Sequence, residues 1–132
     1  KLVIFCAPNH PLAKRKTINR EDLLNAKWIV REQGSGTRQA LERAMHDIFP
    51  QLQVHLELEH TEAIKGAVEA GLGIACLSQI TVSEAFKRGS LVPLTLDEKD
   101  RDMQRRFYLI LHKKKHRSAT INAWLSLCGL PG

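Results

Sequence analysis

The sequence has few aromatic residues, and its basic runs contain none. Phe, Trp and Tyr make up 5% of the 132 residues, while the excess of Lys and Arg over Asp and Glu gives a net charge of +6. Much of that excess lies in residues 14–16, 105–106 and 113–117. Proteins that bind single-stranded nucleic acid stack bases on aromatic rings beside their basic groups. We therefore interpret these runs as solvated loops rather than as a nucleic-acid-binding face.

Cysteine is also scarce, and the three residues present, Cys6, Cys76 and Cys128, stand far apart in apolar surroundings. Zinc sites need cysteine or histidine pairs at short spacing, and the six histidines show no such spacing either. An odd number of separated thiols is typical of buried cysteines in a reducing compartment. We expect core thiols, no metal, no disulfide and a cytoplasmic protein.

Long hydrophobic runs are missing, although 43% of the residues are hydrophobic. The apolar stretches fall far short of the roughly 18 residues that a membrane helix needs, so no membrane partner is expected. Lys1 is followed at once by the apolar residues 2–7, which lack a cleavage-type ending and predict a strand rather than a signal peptide. Because the chain starts on a strand, we expect it to be a piece of a longer protein.

The sequence carries no recognisable catalytic motif. No serine or cysteine has a base beside it in sequence, and the glycine-rich segment described below lacks the spacing and the lysine of a nucleotide-hydrolase phosphate loop. An enzyme built on this chain would need an acid, base or nucleophile from another part of the protein. We expect no catalytic residue, no cofactor and no enzyme activity.

What the sequence does contain is a regular alternation of predicted strands and helices. Strands are predicted at residues 27–31, 53–59, 74–77 and 91–94, with Pro93 indicating an edge strand. Helices are predicted to follow Asn19 as N-cap, to cover residues 37–48 until Pro50, to start at Thr61 as cap and end at Gly71, and to cover residues 78–87 with Gly89 ending the helix. This order predicts an α/β fold in which helices cover both faces of a mostly parallel sheet.

The last third of the chain has a different pattern. Residues 97–106 are densely charged and predict a solvent-exposed connection. The apolar residues 107–111 predict a final strand. A final helix is predicted around Ile121, Trp124, Leu125 and Leu127.

The segment Gly34-Ser35-Gly36-Thr37-Arg38 stands between a predicted strand and a predicted helix. Unpaired N–H groups at a helix start carry partial positive charge, so a small anion gains hydrogen bonds and dipole stabilisation there. Ligands of open α/β sheets bind at the carboxyl ends of the strands, which is where this turn lies. The same residues are ordinary helix caps, and the sequence leaves both interpretations open.

A second strand-to-helix junction, His60-Thr61-Glu62, offers the Thr61 hydroxyl to the same side of the sheet. Capping is again an alternative. Gly71-Leu72-Gly73 follows a helix and precedes a strand, which is the reverse of a dinucleotide-binding turn, so it is interpreted as a helix end.

These segments, taken in order, resemble the effector-binding domain of the LysR-type transcription regulators along nearly the whole chain. Each segment alone is weakly specific, whereas five in sequence order are specific. They are His10-Pro11-Leu12-Ala13, Glu21-Asp22-Leu23 with Trp28-Ile29-Val30, Gly34-Ser35-Gly36-Thr37-Arg38, Glu62-Ala63-Ile64-Lys65, and residues 68–74.

The resemblance implies two Rossmann-like subdomains joined by two crossover strands, as in type 2 periplasmic binding proteins, with ligand in the cleft between them. Residues 1–7 would be the first crossover strand, 8–93 the effector-binding subdomain II, and 94–106 the second crossover or connection. Residues 107–132, a strand and a helix, would be the C-terminal part of subdomain I. The winged-helix DNA-binding domain and most of subdomain I would lie outside this chain.

The resemblance assigns Ser35, Gly36 and Thr37 as anion donors and Thr61 as a donor from the opposite loop. Arg38 is a further candidate, whose side chain could instead face the helix exterior. The implied effector is a small anion, a sulfur oxyanion or a small carboxylate. The resemblance also implies DNA binding only through the missing domain and a homodimer or homotetramer. The alternative is an extracytoplasmic solute-binding protein for a small anion, because that class shares the fold.

Overall fold

A computed structural model describes the backbone of residues 1–116 and the side chains of residues 1–108. Short 3-10 turns lie at Pro11–Lys14, Phe49–Gln51 and Glu98–Asp100. The strands and helices are β1 (Leu2–Cys6), α1 (Arg20–Asn25), β2 (Lys27–Arg31), α2 (Gly36–Ala44), β3 (Gln53–Leu58), α3 (Thr61–Glu69), β4 (Ala75–Ser78), α4 (Gln79–Arg88), β5 (Val92–Leu94) and α5 (Arg101–His116).

The strands form two ladders that meet at a single bridge. β1 lies between β4 and β5 and is antiparallel to both, whereas β2 and β3 are parallel. A parallel bridge between Trp28 and Ile74 connects β2 to the start of β4. Of the strands in the described chain, β2, β3, β4 and β5 therefore run in one direction, as the alternation predicts, and β1 runs against them. Parallel neighbours in a sheet are usually joined by one helical crossover. β1 is connected to β4 and β5 through several other elements, so its antiparallel direction does not conflict with this rule.

This strand direction places three helix starts on one side of the sheet. β2, β3 and β4 end at Arg31, Leu58 and Ser78, and α2, α3 and α4 begin directly after them. β1 runs the opposite way, so its first residues lie at the same place, with Leu2 opposite Ser78. We call this side of the molecule the carboxyl edge.

Helices cover both faces of the sheet, as predicted. Trp28 and Ile29 are adjacent on β2 and point to opposite faces, because side chains alternate along a strand. Trp28 packs in a core with Leu41, Met45 and Phe107, and its Nε1 donates to the Leu23 carbonyl oxygen at 2.8 Å. Ile29 packs in a second core beneath α3 and α4.

Several predicted helix ends are confirmed. Asn19 caps α1 in a reciprocal arrangement with Asp22, and Gly89 ends α4 in the left-handed conformation at φ 76°. Gly71 has φ 84° just after α3. Glycine adopts these positive φ values without a side-chain clash, which is why it ends helices.

The predicted helix over residues 37–48 is too long. α2 ends at Ala44. In the turn that follows, the Ile48 amide donates to the Met45 carbonyl oxygen at 2.9 Å, so the hydrogen bond joins residues three apart rather than four. Pro50 lies within the next 3-10 turn rather than ending α2. Met45 and Ile48 are nevertheless buried, so the apolar spacing correctly indicated the core-facing residues.

The strand predicted at residues 107–111 and the exposed connection over residues 97–106 are both wrong in their local structure. α5 spans Arg101–His116 and crosses the boundary between them. Met103 and Phe107 lie one turn apart on the same helix face and are almost completely buried. A helix satisfies its own backbone hydrogen bonds, whereas a strand here would need a neighbouring strand. The predicted final helix around Ile121 lies outside the described residues.

Candidate functional site

The start of α2 combines a helix cap with unpaired donors. The Ser35 hydroxyl oxygen accepts a hydrogen bond from the Arg38 amide at 3.0 Å, so Ser35 is the N-cap. In the part of the chain that the structure describes, the Gly36 and Thr37 amides and the Thr37 hydroxyl have no hydrogen-bond partner. Ser35, Gly36 and Thr37 are all half-buried. Capping and anion binding are therefore compatible at this segment, because the cap uses the Ser35 oxygen and leaves its hydroxyl proton free to donate.

The start of α3 differs from the prediction, which made Thr61 the cap. His60 is the N-cap residue, with extended backbone angles, and its carbonyl oxygen accepts from the Ile64 amide at 3.1 Å. Thr61 is consequently the first helical residue, and its hydroxyl oxygen accepts from Arg31 Nη1 at 3.2 Å. The Thr61 hydroxyl lies at the carboxyl edge, bound to a cationic side chain.

Arg38 lies inside the molecule rather than on the helix exterior. Its side chain is 10% exposed, its Nη1 donates to the Arg31 carbonyl oxygen at 3.1 Å, and the same group pairs with Glu57 at 3.3 Å. The guanidinium carbon lies 5.6 Å from the centre of the Phe49 ring. Because these protein groups hold the guanidinium, Arg38 fixes α2 against the ends of β2 and β3.

A third set of polar groups, at the start of α4, was missed by the sequence analysis. The Ser78 and Thr81 hydroxyl oxygens are 2.7 Å apart, and the Gln79 amide donates to the Lys1 carbonyl oxygen at 2.8 Å. Lys65 Nζ donates to the Thr81 carbonyl oxygen and to a Glu62 carboxylate oxygen, both at 3.1 Å. The available signal was the serine at the end of β4, since a serine also stands between strand and helix at Ser35.

Charge at the carboxyl edge centres on Arg31 and Glu32. Arg31 Nε donates to Glu32 Oε1 at 2.9 Å. The hydrogen bond from Arg31 is the main cause that lowers the Glu32 pKa below its ordinary value. Glu32 is therefore ionised at neutral pH, and it neutralises part of the positive charge at the ends of β2 and β3.

Two cavities in the described part of the chain lie away from the predicted donors. A cavity of about 420 Å³ lies between β1, β5 and α5, and another of about 350 Å³ lies at the opposite side of the sheet, beside His10 and Gly71. Neither is lined by Ser35, Gly36, Thr37 or Thr61.

The predicted core thiols are confirmed for Cys6 and Cys76, which are buried and form no disulfide. Burial raises the pKa of the Cys6 thiol to about 11 and also raises that of Cys76. Cys128 lies outside the described residues.

Among the described residues, no group of His, Cys, Asp and Glu side chains is arranged to hold a metal ion. None of the described helices has the length and apolar character needed to cross a bilayer.

The model of the LysR substrate-binding domain matches residues 1–129. The chain belongs to this family. It is 38% identical over 132 residues to an uncharacterized HTH-type transcriptional regulator, YeiE of Escherichia coli K12, covering 97% of this chain and 43% of that protein. It is 37% identical to the transcriptional activator CmpR of Synechocystis, covering 94% of this chain and 40% of that protein. The chain thus spans less than half the length of these relatives.

The regulatory domain of Synechocystis CcmR, solved in complex with 2-PG, superposes with a TM-score of 0.65 at 40% identity, over 74% of this chain and 47% of that one. The effector-binding domain of QuiR, in complex with shikimate, gives 0.59 at 26% identity, over 74% and 46%. These structures confirm the predicted fold. The relatives are transcription regulators rather than enzymes or transport proteins, as the resemblance implies.

Proposed function

We propose that this chain is the effector-sensing part of a cytoplasmic LysR-type transcription regulator and that it holds a small anion at the carboxyl edge. Ser35, Gly36 and Thr37 would donate from the start of α2, and Thr61 from the start of α3. The observation that carries the proposal is the pair of unpartnered amides of Gly36 and Thr37 at a helix start. The small-molecule complexes of CcmR and QuiR support it, because both are regulatory domains of this fold.

The chemistry follows from the geometry of α2. Its first amides point away from the helix, and the aligned peptide dipoles place partial positive charge there. An anion that accepts from the Gly36 and Thr37 amides and from the Ser35 hydroxyl is bound without removing the cap. These donors match the oxygens of a sulfur oxyanion or of a small carboxylate equally well, so both remain in the proposed effector class.

Arg38 has a different role from the one that the resemblance suggested. Its guanidinium binds the Arg31 carbonyl oxygen and Glu57 inside the molecule. We assign it to positioning the α2 start rather than to contact with the effector.

Regulation requires more of the protein than this chain. We propose that residues 8–93 are one lobe, that residues 1–7 and 94–106 lead to a second lobe, and that the chain after Phe107, which packs in the core of the first lobe, belongs to the second. An effector held between the lobes would favour one closed geometry, and a homodimer or homotetramer would transmit that geometry to winged-helix domains on DNA. Because one lobe supplies only part of the donors, the isolated chain should bind the effector weakly.

Isothermal titration of the full-length protein with sulfite, sulfate and dicarboxylates tests the site. Thr37→Val removes one hydroxyl donor and Ser35→Ala removes a donor together with the cap, so both should weaken binding. Ser35→Asp is the sharper variant, because its carboxylate can still cap the Arg38 amide while repelling an anion. Ser83→Ala, on the outside of α4, is the matched control. Unchanged affinity in Thr37→Val and Ser35→Asp would exclude this location.

A further inference from the structure

Arg31 stands at the point where β2 meets the starts of α2 and α3. Its side chain is 19% exposed. Nε donates to Glu32 Oε1 at 2.9 Å, Nη2 approaches Glu32 Oε2 at 3.5 Å, and Nη1 donates to the Thr61 hydroxyl oxygen at 3.2 Å. The guanidinium therefore holds a carboxylate along one side and a proposed effector donor along the other.

The ion pair between Arg31 and Glu32 joins two neighbours in sequence. Consecutive residues of an extended segment point to opposite faces, so Glu32 must fold back to reach its neighbour. The pair joins no separate elements, unlike the pair of Arg38 and Glu57, which connects α2 to β3. A contact between neighbours in sequence adds little to the fold.

The cationic groups near this part of the carboxyl edge differ in the protein groups that they bind. Arg38 is almost fully buried between Glu57 and the Arg31 carbonyl oxygen. Lys65 binds a backbone carbonyl oxygen and Glu62. Arg31 instead binds Glu32 through Nε and Nη2 and the Thr61 hydroxyl oxygen through Nη1, so its planar fork lies between the chain segment leading to Ser35 and a proposed donor on α3.

We infer that Arg31 is the residue that pairs with the negative charge of the effector and that Glu32 competes with the effector for it. The inference rests on the proposed function and adds a charge-selecting residue to a set of neutral donors. A guanidinium binds two oxygens of a carboxylate or oxyanion side by side, and Glu32 makes this contact in the structure. An incoming anion displaces Glu32 and meets Arg31 beside Thr61.

The experiment measures effector affinity in the full-length regulator by isothermal titration, with sulfate, sulfite and 2-PG as probes at constant ionic strength. Arg31→Met should weaken binding about tenfold or more, since the free energy of a hydrogen bond to a charged group corresponds to at least a tenfold change in affinity. Arg31→Lys should bind with intermediate affinity. Glu32→Gln should bind about threefold more tightly, because the neutral amide competes poorly.

Matched controls separate this effect from the net charge. Arg15→Met breaks an exposed pair with Asp22 at the opposite side of the sheet, and Glu84→Gln breaks an exposed pair with Lys87 on α4. Each makes the same charge change as its counterpart and should leave affinity unchanged. Thermal denaturation of every variant records whether it is folded.

The decisive measurement is the effector affinity of the double variant that combines Arg31→Met with Glu32→Gln. If Glu32 acts through Arg31, the gain from Glu32→Gln disappears in the Arg31→Met background. A wild-type protein that binds a probe while Arg31→Met, folded, binds it equally well overturns the inference and leaves the proposed function standing. Should Arg31→Met not fold, unchanged or weaker binding by Glu32→Gln overturns it. A wild-type protein that binds none of the probes counts against the proposed function itself, and the inference then fails with it.

Discussion

At the scale of the single residue, Gly73 lies where the chain approaches β2 closely. A Cβ at this position would stand 2.6 Å from the Lys27 carbonyl oxygen, which accepts the Ile74 amide at 2.8 Å. Gly73→Ala should lower the free energy of unfolding by about 1–3 kcal/mol, because the backbone must shift. Gly66→Ala, inside α3 with nothing within 4 Å of the added carbon, should raise it by about 0.5–1 kcal/mol. Urea denaturation measures both, and a Gly73→Ala variant as stable as the parent would contradict the close approach.

The buried thiols give a second prediction at this scale. The raised pKa of Cys6, about 11 against 9.0 for a free thiol, keeps it protonated near neutral pH, and only the thiolate reacts readily. In a Cys128→Ser background, Ellman's reagent should label Cys6 and Cys76 only as fast as the protein unfolds, and at once in guanidinium chloride. Since the folded state holds this proton more tightly, stability should decline as the pH rises from 9.0 towards 11. Rapid labelling of the folded protein would contradict the burial.

Single residues also show where sequence reasoning reaches its limit. The order of types at Ser35, Gly36 and Thr37 was enough to predict a helix start at the carboxyl end of a strand. The direction of the Arg38 side chain was not predictable, because it depends on Glu57, which is near only after β2 and β3 pair. The contact between Arg31 and Thr61 joins residues 30 positions apart and depends on the same pairing.

At the scale of the element, α5 is held by charges as well as by apolar contacts. Arg106 Nε donates to the Ala44 carbonyl oxygen at 2.9 Å, and both Arg106 and Arg20 pair with Asp47. Burial acts to raise the Asp47 pKa, but the hydrogen bond from Arg20 and the charges of both arginines outweigh it and hold the pKa below the ordinary value. A carboxylate with a lowered pKa stabilises the fold above its unfolded pKa, and this contribution is lost as the pH falls through the folded pKa.

Asp47→Asn should therefore lower the free energy of unfolding by roughly 1 kcal/mol at neutral pH, a small value because the pair is partly exposed. The difference from the parent should vanish as the pH falls well below 3.8, the ordinary aspartate value. Thermal denaturation across this range measures it, with Glu84→Gln as a control for an exposed pair. A difference that persists in acid would show that Asp47 acts through something other than its charge.

The same element explains the main error of the sequence analysis. Residues 107–111 form an apolar run of five, which is too short for its periodicity to separate a strand from a helix. The neighbouring Met103 lies four positions before Phe107 and extends the pattern to helical spacing, but it stands in a charged segment that was interpreted as a loop. The alternating segment at β3 was recognisable, because strict alternation has no helical equivalent.

At the scale of the whole molecule, the direction of the strands decides what the surface can do. β2, β3 and β4 share one direction and bring the starts of α2, α3 and α4 to the same edge, so separate short motifs become one polar surface. Strand order predicts this gathering in advance. How many of the effector donors this chain supplies is not predictable from its sequence, because the chain spans only 43% of a relative such as YeiE and the remaining donors would come from the rest of the protein.

The net charge of +6 gives the last prediction, because a basic protein retains DNA without any recognition. Arg20, Arg31 and Arg106 are among the basic residues that pair with carboxylates, which reduces the positive charge available to phosphates. In a gel-shift assay near physiological salt, this chain alone should not retard promoter DNA, whereas the full-length regulator should. Repeating the assay at low salt, where nonspecific contacts strengthen, distinguishes weak charge attraction from recognition. Retention of one DNA sequence over a scrambled one by the isolated chain would contradict its assignment to effector sensing alone.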